Sequence, residues 1–180
     1  FNTSFFSKLM RDANVDGRLR KMCNLHTVHS DPFQKMFNTL CAGTYIRPHR
    51  HYRSHKNELL LAIIGGFNVI LFTDEGEVSE VITCQAGELN GACGVEIPYD
   101  RWHTVYPLGE FCIIFEGKAG PFLESEAKDY ASWSPEETSK EAEKYLQLAV
   151  KKMPGDPIVN DHYGDVLWMN SKNIQARYYW

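Results

Sequence analysis

One pattern constrains this chain more than any other: Gly43-Thr-Tyr-Ile-Arg-Pro-His49-Arg-His51, then Glu58 and Gly65, then Pro98 and His103. In an extended strand, side chains two residues apart point to the same face, so His49 and His51 aim at one point while Arg50 faces away. Glu58 opens the apolar run Leu59-Leu-Leu-Ala-Ile-Ile64, which reads as a strand returning beside the first after a polar loop. His103 lies in Arg101-Trp-His-Thr-Val105, a third strand candidate after a turn at Pro98-Tyr-Asp100. Three neutral imidazoles and a carboxylate suit one divalent ion: Zn, Fe(II), Mn(II) or Ni(II). An incomplete coordination sphere leaves room for water or substrate. The expected metal ligands are therefore His49, His51, Glu58 and His103.

Other residues near this pattern carry weaker signals. A single histidine in a strand is ordinarily a surface or hydrogen-bonded residue, and only the spacing sets these three apart. His55, in the polar loop, reads as solvent-facing or as a neighbour of the ligands before it reads as a replacement for His51 or Glu58. His26, His29 and His162 have no partner spacing. If residues 43–49 form a strand, Tyr45 and Arg47 share the face of His49 and point inward. A guanidinium beside a metal favours an anionic or carboxylated ligand. Arg101 shares parity with His103, although an arginine at a strand mouth more often faces solvent. Tyr45, Arg47, His55 and Arg101 are thus the candidate substrate-pocket residues. Tyr99, Trp102 and Glu116 either shape the pocket, act in proton transfer, or serve as packing or rim.

The pattern of Gly, five residues, His-x-His, Glu, six residues, Gly and then Pro-x-x-x-x-His resembles the two metal-binding motifs of the cupin superfamily, with Asp100 where many cupins have Gly. Residues 9 to 137 are more specifically similar to the cupin-fold metalloproteins of the WbuC family. That similarity rests on Tyr45-Ile-Arg-Pro-His-Arg-His51, Lys56-x-Glu58, Trp102-His-Thr104, Glu116-Gly-Lys-Ala-Gly-Pro-Phe122 and Trp133-Ser-Pro-Glu136. The resemblance implies a mainly β, jelly-roll barrel with a metal, and a link to bacterial surface-polysaccharide genes. It implies a homodimer too, since cupins commonly exchange strands, but no particular substrate.

Along the chain, a short helix is expected near Phe5 to Asp12 and an amphipathic one from Pro32 to Leu40. Asp31-Pro32 has helix-start chemistry, and Phe33, Met36, Phe37 and Leu40 recur at helical spacing. Strands are expected at 43–49, 58–64, 67–73, 77–84, 93–97, 102–106 and 110–116, with hairpin turns at Gly65-Gly66 and Asp74-Glu-Gly76. From about Thr138 the pattern becomes helical. Ala149, Pro154, Gly164 and Ala176 sit where tetratricopeptide repeats place small residues and prolines, so the tail resembles a helical hairpin of that kind. Such a fragment is too short to stand alone. The expected organisation is a cupin domain over 1–137 and a helical tail over 138–180.

Composition excludes several classes. At 180 residues, 43% hydrophobic and 13% aromatic, the chain can bury a substantial core. A formal charge of -4 argues against nucleic acid as a partner, and no apolar run reaches the roughly 18 to 20 residues of a membrane span. Phe1-Asn-Thr-Ser-Phe-Phe lacks the basic-then-apolar order of a secretion signal. Five cysteines without CxxC spacing read as reduced, mostly buried thiols of a cytoplasmic protein. Two functions fit. One is a metal-dependent isomerase, lyase or oxygenase acting on a sugar-like or carboxylated metabolite. The other is a non-catalytic binding module whose tail docks a protein partner.

Overall fold

The computed structural model describes residues 1–142 and Tyr145. Helix α1 (Thr3–Asn14) is followed by β1 (Arg20–Asn24), β2 (Phe33–Cys41), β3 (His49–Arg50), β4 (Glu58–Phe72), β5 (Val78–Gln85), β6 (Gly94–Ile97), β7 (Trp102–Ala119), a 3-10 turn (Glu124–Glu126) and β8 (Asp129–Tyr130). The strands form one antiparallel sheet in which β4 and β7 pair along most of their length. Their ends diverge to different neighbours. The second half of β7 pairs β2, and β2 pairs β1, while the start of β7 pairs β3. The start of β4 pairs β6, and its end pairs β5. Irregular register between Ala62 and Gly66 bends β4 through the corner, and the sheet curls round to face itself.

Gly65 makes that corner possible. Its φ is +67°, and a Cβ would lie 2.8 Å from the Phe111 carbonyl oxygen. The expected hairpin at Gly65-Gly66 is therefore a bend within one strand, because β4 keeps β7 as its partner on both sides. The expected strands 102–106 and 110–116 likewise merge into β7. The turn at Asp74–Gly76 is present: Thr73 N–H donates to the Glu77 carbonyl at 2.8 Å, joining β4 to β5.

The curled sheet encloses a core of Leu40, Leu60, Phe67, Val69, Leu71, Cys84, Ile97, Val105, Cys112 and Ile114. Outside it, α1 lays Leu9 with Phe5, Phe6 and Met10 against Phe37 and Ile113. Asn2 caps this helix, its side chain accepting from Phe5 N–H. On another face, Trp133 packs with Ile70, Phe72 and Tyr106, and Gly76 has no room for a Cβ beside its ring.

The amphipathic helix expected over Pro32–Leu40 is instead strand β2. Both its faces are covered: Met36 and Leu40 are buried, and so is Phe37 beneath α1. Apolar residues on both parities of a doubly covered strand imitate helical spacing. Asp31 does not start a helix. Its carboxylate accepts from Thr27 N–H at 2.8 Å and Val28 N–H at 3.3 Å, closing the preceding turn. Cys41, Cys84 and Cys112 are buried, Cys23 is half-buried, Cys93 is exposed, and all are free thiols. The helical hairpin and repeat-like reading of 138–180 fall almost wholly outside the described residues. Among those residues no helix is long and apolar enough to cross a membrane.

Candidate metal centre

Three strands of the curled sheet and the segment after β3 converge on one point. His49 on β3 is the register partner of His103 on β7, so their side chains share the inner face. His51 follows β3, its N–H donating to the Tyr99 carbonyl at 2.9 Å, and Glu58 begins β4. All four side chains are buried, and their potential ligand atoms lie within 4.8 Å of one another. With metal–ligand bonds of about 2.0–2.2 Å, two donors on opposite sides of an ion are roughly 4.2 Å apart. The cluster has the dimensions of a mononuclear site.

The hydrogen bonds fix how each ring is presented. Nδ1 of His49 faces the Arg47 carbonyl at 2.9 Å, Nδ1 of His51 the Ala127 carbonyl at 2.6 Å, and Nδ1 of His103 the Arg101 carbonyl at 2.9 Å. A carbonyl only accepts, so each Nδ1 carries a proton and Nε2 is the nitrogen left for a metal. Nε2 of His51 and of His103 lie 3.2 Å and 3.1 Å from the same oxygen, Oε2 of Glu58. Atoms gathered this closely in a buried space need a cation among them, either a metal ion or protons carried on Nε2 and donated to Glu58. The residues therefore fit a divalent ion, and these outer carbonyls are the orienting partners that metal-bound imidazoles usually have.

Charge around the cluster follows from burial and pairing. Burial, followed by the nearby Lys128 cation and the other imidazoles, holds His49 well below its ordinary value, so it is neutral at neutral pH. Burial pushes Glu58 upward, but Lys118 and the two imidazoles outweigh it and leave the carboxyl well below the usual range. Lys118 faces Glu58 in register across β4 and β7. Its Nζ lies 3.2 Å from Glu58 and 2.6 Å from Glu116, whose other oxygen accepts from Asn38. Burial lowers the Lys118 proton affinity, yet the two carboxylates reverse this and raise it. Glu116 is raised by burial and then by Glu58.

The remaining sequence candidates go elsewhere. Of the expected strand 43–49 only His49 is strand, so the parity argument for Tyr45 and Arg47 fails. The Tyr45 hydroxyl donates to the Pro135 carbonyl at 3.0 Å. The Arg47 guanidinium donates to the Ala131 carbonyl at 3.0 Å and to Ser134 Oγ at 3.3 Å. Both clasp the segment after β8 instead of reaching the cluster. His55 is exposed at φ +52°, its ring 5.1 Å from that of Tyr99. Arg101 is exposed and contributes its carbonyl to His103. Trp102 lies under the Arg50 guanidinium and donates to Asp74. Sequence reasoning missed Lys118 and Lys128. Lys118 had a usable signal: it stands two residues after Glu116 within a run ending in Gly-Pro, on the parity of a buried carboxylate.

Residues 1–84 match a family described only as a domain of unknown function (DUF6016). No curated protein matches the chain by sequence. Among solved structures, protein SO0799 from Shewanella oneidensis is 12% identical, with a TM-score of 0.51 over 72% of this chain and 84% of that one. The capsular polysaccharide assembling protein CapF from Staphylococcus aureus is 20% identical, with a TM-score of 0.51 over 65% of this chain. The chain spans about a third of CapF, 33% of its length. At these identities the likeness speaks for the fold alone, a mainly β cupin-type barrel curled from one antiparallel sheet.

Proposed function

We propose that the protein is a metal-dependent cupin in which His49, His51, Glu58 and His103 hold one divalent ion and present it to a small molecule. One observation carries this reading. Three buried imidazoles are locked by backbone carbonyls with Nε2 turned toward one site, and two of them meet a single carboxylate oxygen there. A bound ion of this kind polarises a carbonyl or activates water. The chain's own residues position it: Lys118 fixes Glu58, and Glu116 with Asn38 fixes Lys118.

The substrate class we favour is a sugar-like or carboxylated metabolite of bacterial surface-polysaccharide synthesis, handled in the cytoplasm. Support comes from the WbuC-like motifs around Tyr45–His51 and Glu116–Phe122, and from CapF, described as a capsular polysaccharide assembling protein. The test is elemental analysis of protein purified anaerobically without a metal-affinity column, wild type beside His49→Ala/His51→Ala. One equivalent of a divalent metal in the wild type and none in the variant is the expected result. Metal-free wild type that also fails to take up added metal would end the proposal.

A further inference from the structure

The strap that closes over the cluster carries a residue outside the metal motifs. β8 pairs antiparallel with β3, Tyr130 opposite His49 and Asp129 opposite Arg50. Lys128 directly precedes this pairing. Facing residues of an antiparallel pair share a face, so Tyr130 lies on the side of His49, their rings 6.4 Å apart. Asp129 turns the other way and pairs with Arg53 Nε at 2.8 Å. The strap is also pinned just before Lys128, where the Ala127 carbonyl accepts from His51 Nδ1 at 2.6 Å.

Lys128 is exposed, and its ammonium acts electrostatically on His49 and feels Glu58, Lys118, Glu116 and Arg20. Its ammonium makes no hydrogen bond or ion pair with the described residues, whereas Lys118, deeper in, is bound by two carboxylates. Burial lowers the Lys128 proton affinity, and Glu58 and Glu116 offset only part of that. Beside a divalent ion at the cluster, an ammonium without a protein partner favours an anionic ligand.

We propose that Lys128 is a ligand-binding residue that receives an anionic oxygen group, carboxylate or phosphate, of a small molecule seated at the metal cluster. This rests on the metal-site reading above and replaces Arg47, which the fold commits to Ala131 and Ser134. The test uses full-length Co(II)-loaded protein. Metal content is measured first, then the visible absorption band is titrated with malonate, with inorganic phosphate and, as a neutral control, with glycerol. The wild type should bind at least one anion and not glycerol; which anion binds tighter identifies the group. Lys128→Gln should weaken that anion about tenfold or more, the loss expected for a charge-assisted hydrogen bond, at unchanged cobalt content. Lys128→Arg should restore most of it. Full cobalt loading with no anion preference, or equal anion affinity in Lys128→Gln, overturns the role of Lys128 alone. Failure of the wild type to bind cobalt overturns the metal site and this inference with it.

Discussion

The interior of this barrel has two ends, built from the same strands and opposite in character. β4 contributes Glu58 at one end and, past the Gly65 bend, Phe67 at the other; β7 contributes His103, Glu116 and Lys118 to the Glu58 end and Cys112, beside Gly65, to the Phe67 end. At the apolar end every group gains by leaving water, so the interaction is non-directional and needs only good packing. At the polar end each buried group must be matched individually: Nδ1 by a carbonyl, Glu58 by Lys118, Glu116 by Asn38. The contrast assigns stability to one end and chemistry to the other. An unmatched pole at the second end is a demand for a ligand, whereas a gap at the first would only be a defect.

Four perturbations would break or sharpen that contrast. The largest effect is expected from Phe67→Ala, which empties the centre of the apolar end and should cost about 3–5 kcal/mol in denaturant unfolding, with or without metal. Next, Lys118→Met removes the cation between two buried carboxylates and should cost about 3 kcal/mol in chelator-treated protein. Adding Glu116→Gln should recover part of it. Third, divalent metal at a hundredfold excess over its Kd should stabilise the wild type by about 2.7 kcal/mol, and His103→Ala should gain nothing. Equal stabilisation of both proteins would separate the metal from the polar end. Smallest, Tyr45→Phe loses the hydroxyl's hydrogen bond to Pro135 and should cost about 1 kcal/mol while leaving metal affinity unchanged.

What the sequence made legible follows the range of the physics. His49 and His51 are two residues apart, and Glu58 and His103 open recognisable strands, so short-range spacing was enough to group the four. Lys118 and Lys128 were hidden because their positions depend on register with β4 and β3, set by pairings across the sheet. Arg47 was misplaced for a related reason. Parity holds only in a strand, and the backbone before His49 is not one. β2 shows the same limit at the level of fold, since burial on both faces erased the alternation that marks a half-buried strand. The bend at Gly65 was visible as a break in pattern, but a glycine alone does not distinguish a hairpin from a kink in a continuing strand.

The most direct measurement is an anomalous difference map from crystals of the protein soaked in Mn(II). The account predicts one strong peak within bonding distance of Nε2 of His49, His51 and His103 and of a Glu58 oxygen, with all three Nδ1 atoms still on the carbonyls of Arg47, Ala127 and Arg101. No peak among these residues, or a peak bound through Nδ1 of a turned ring, would contradict it.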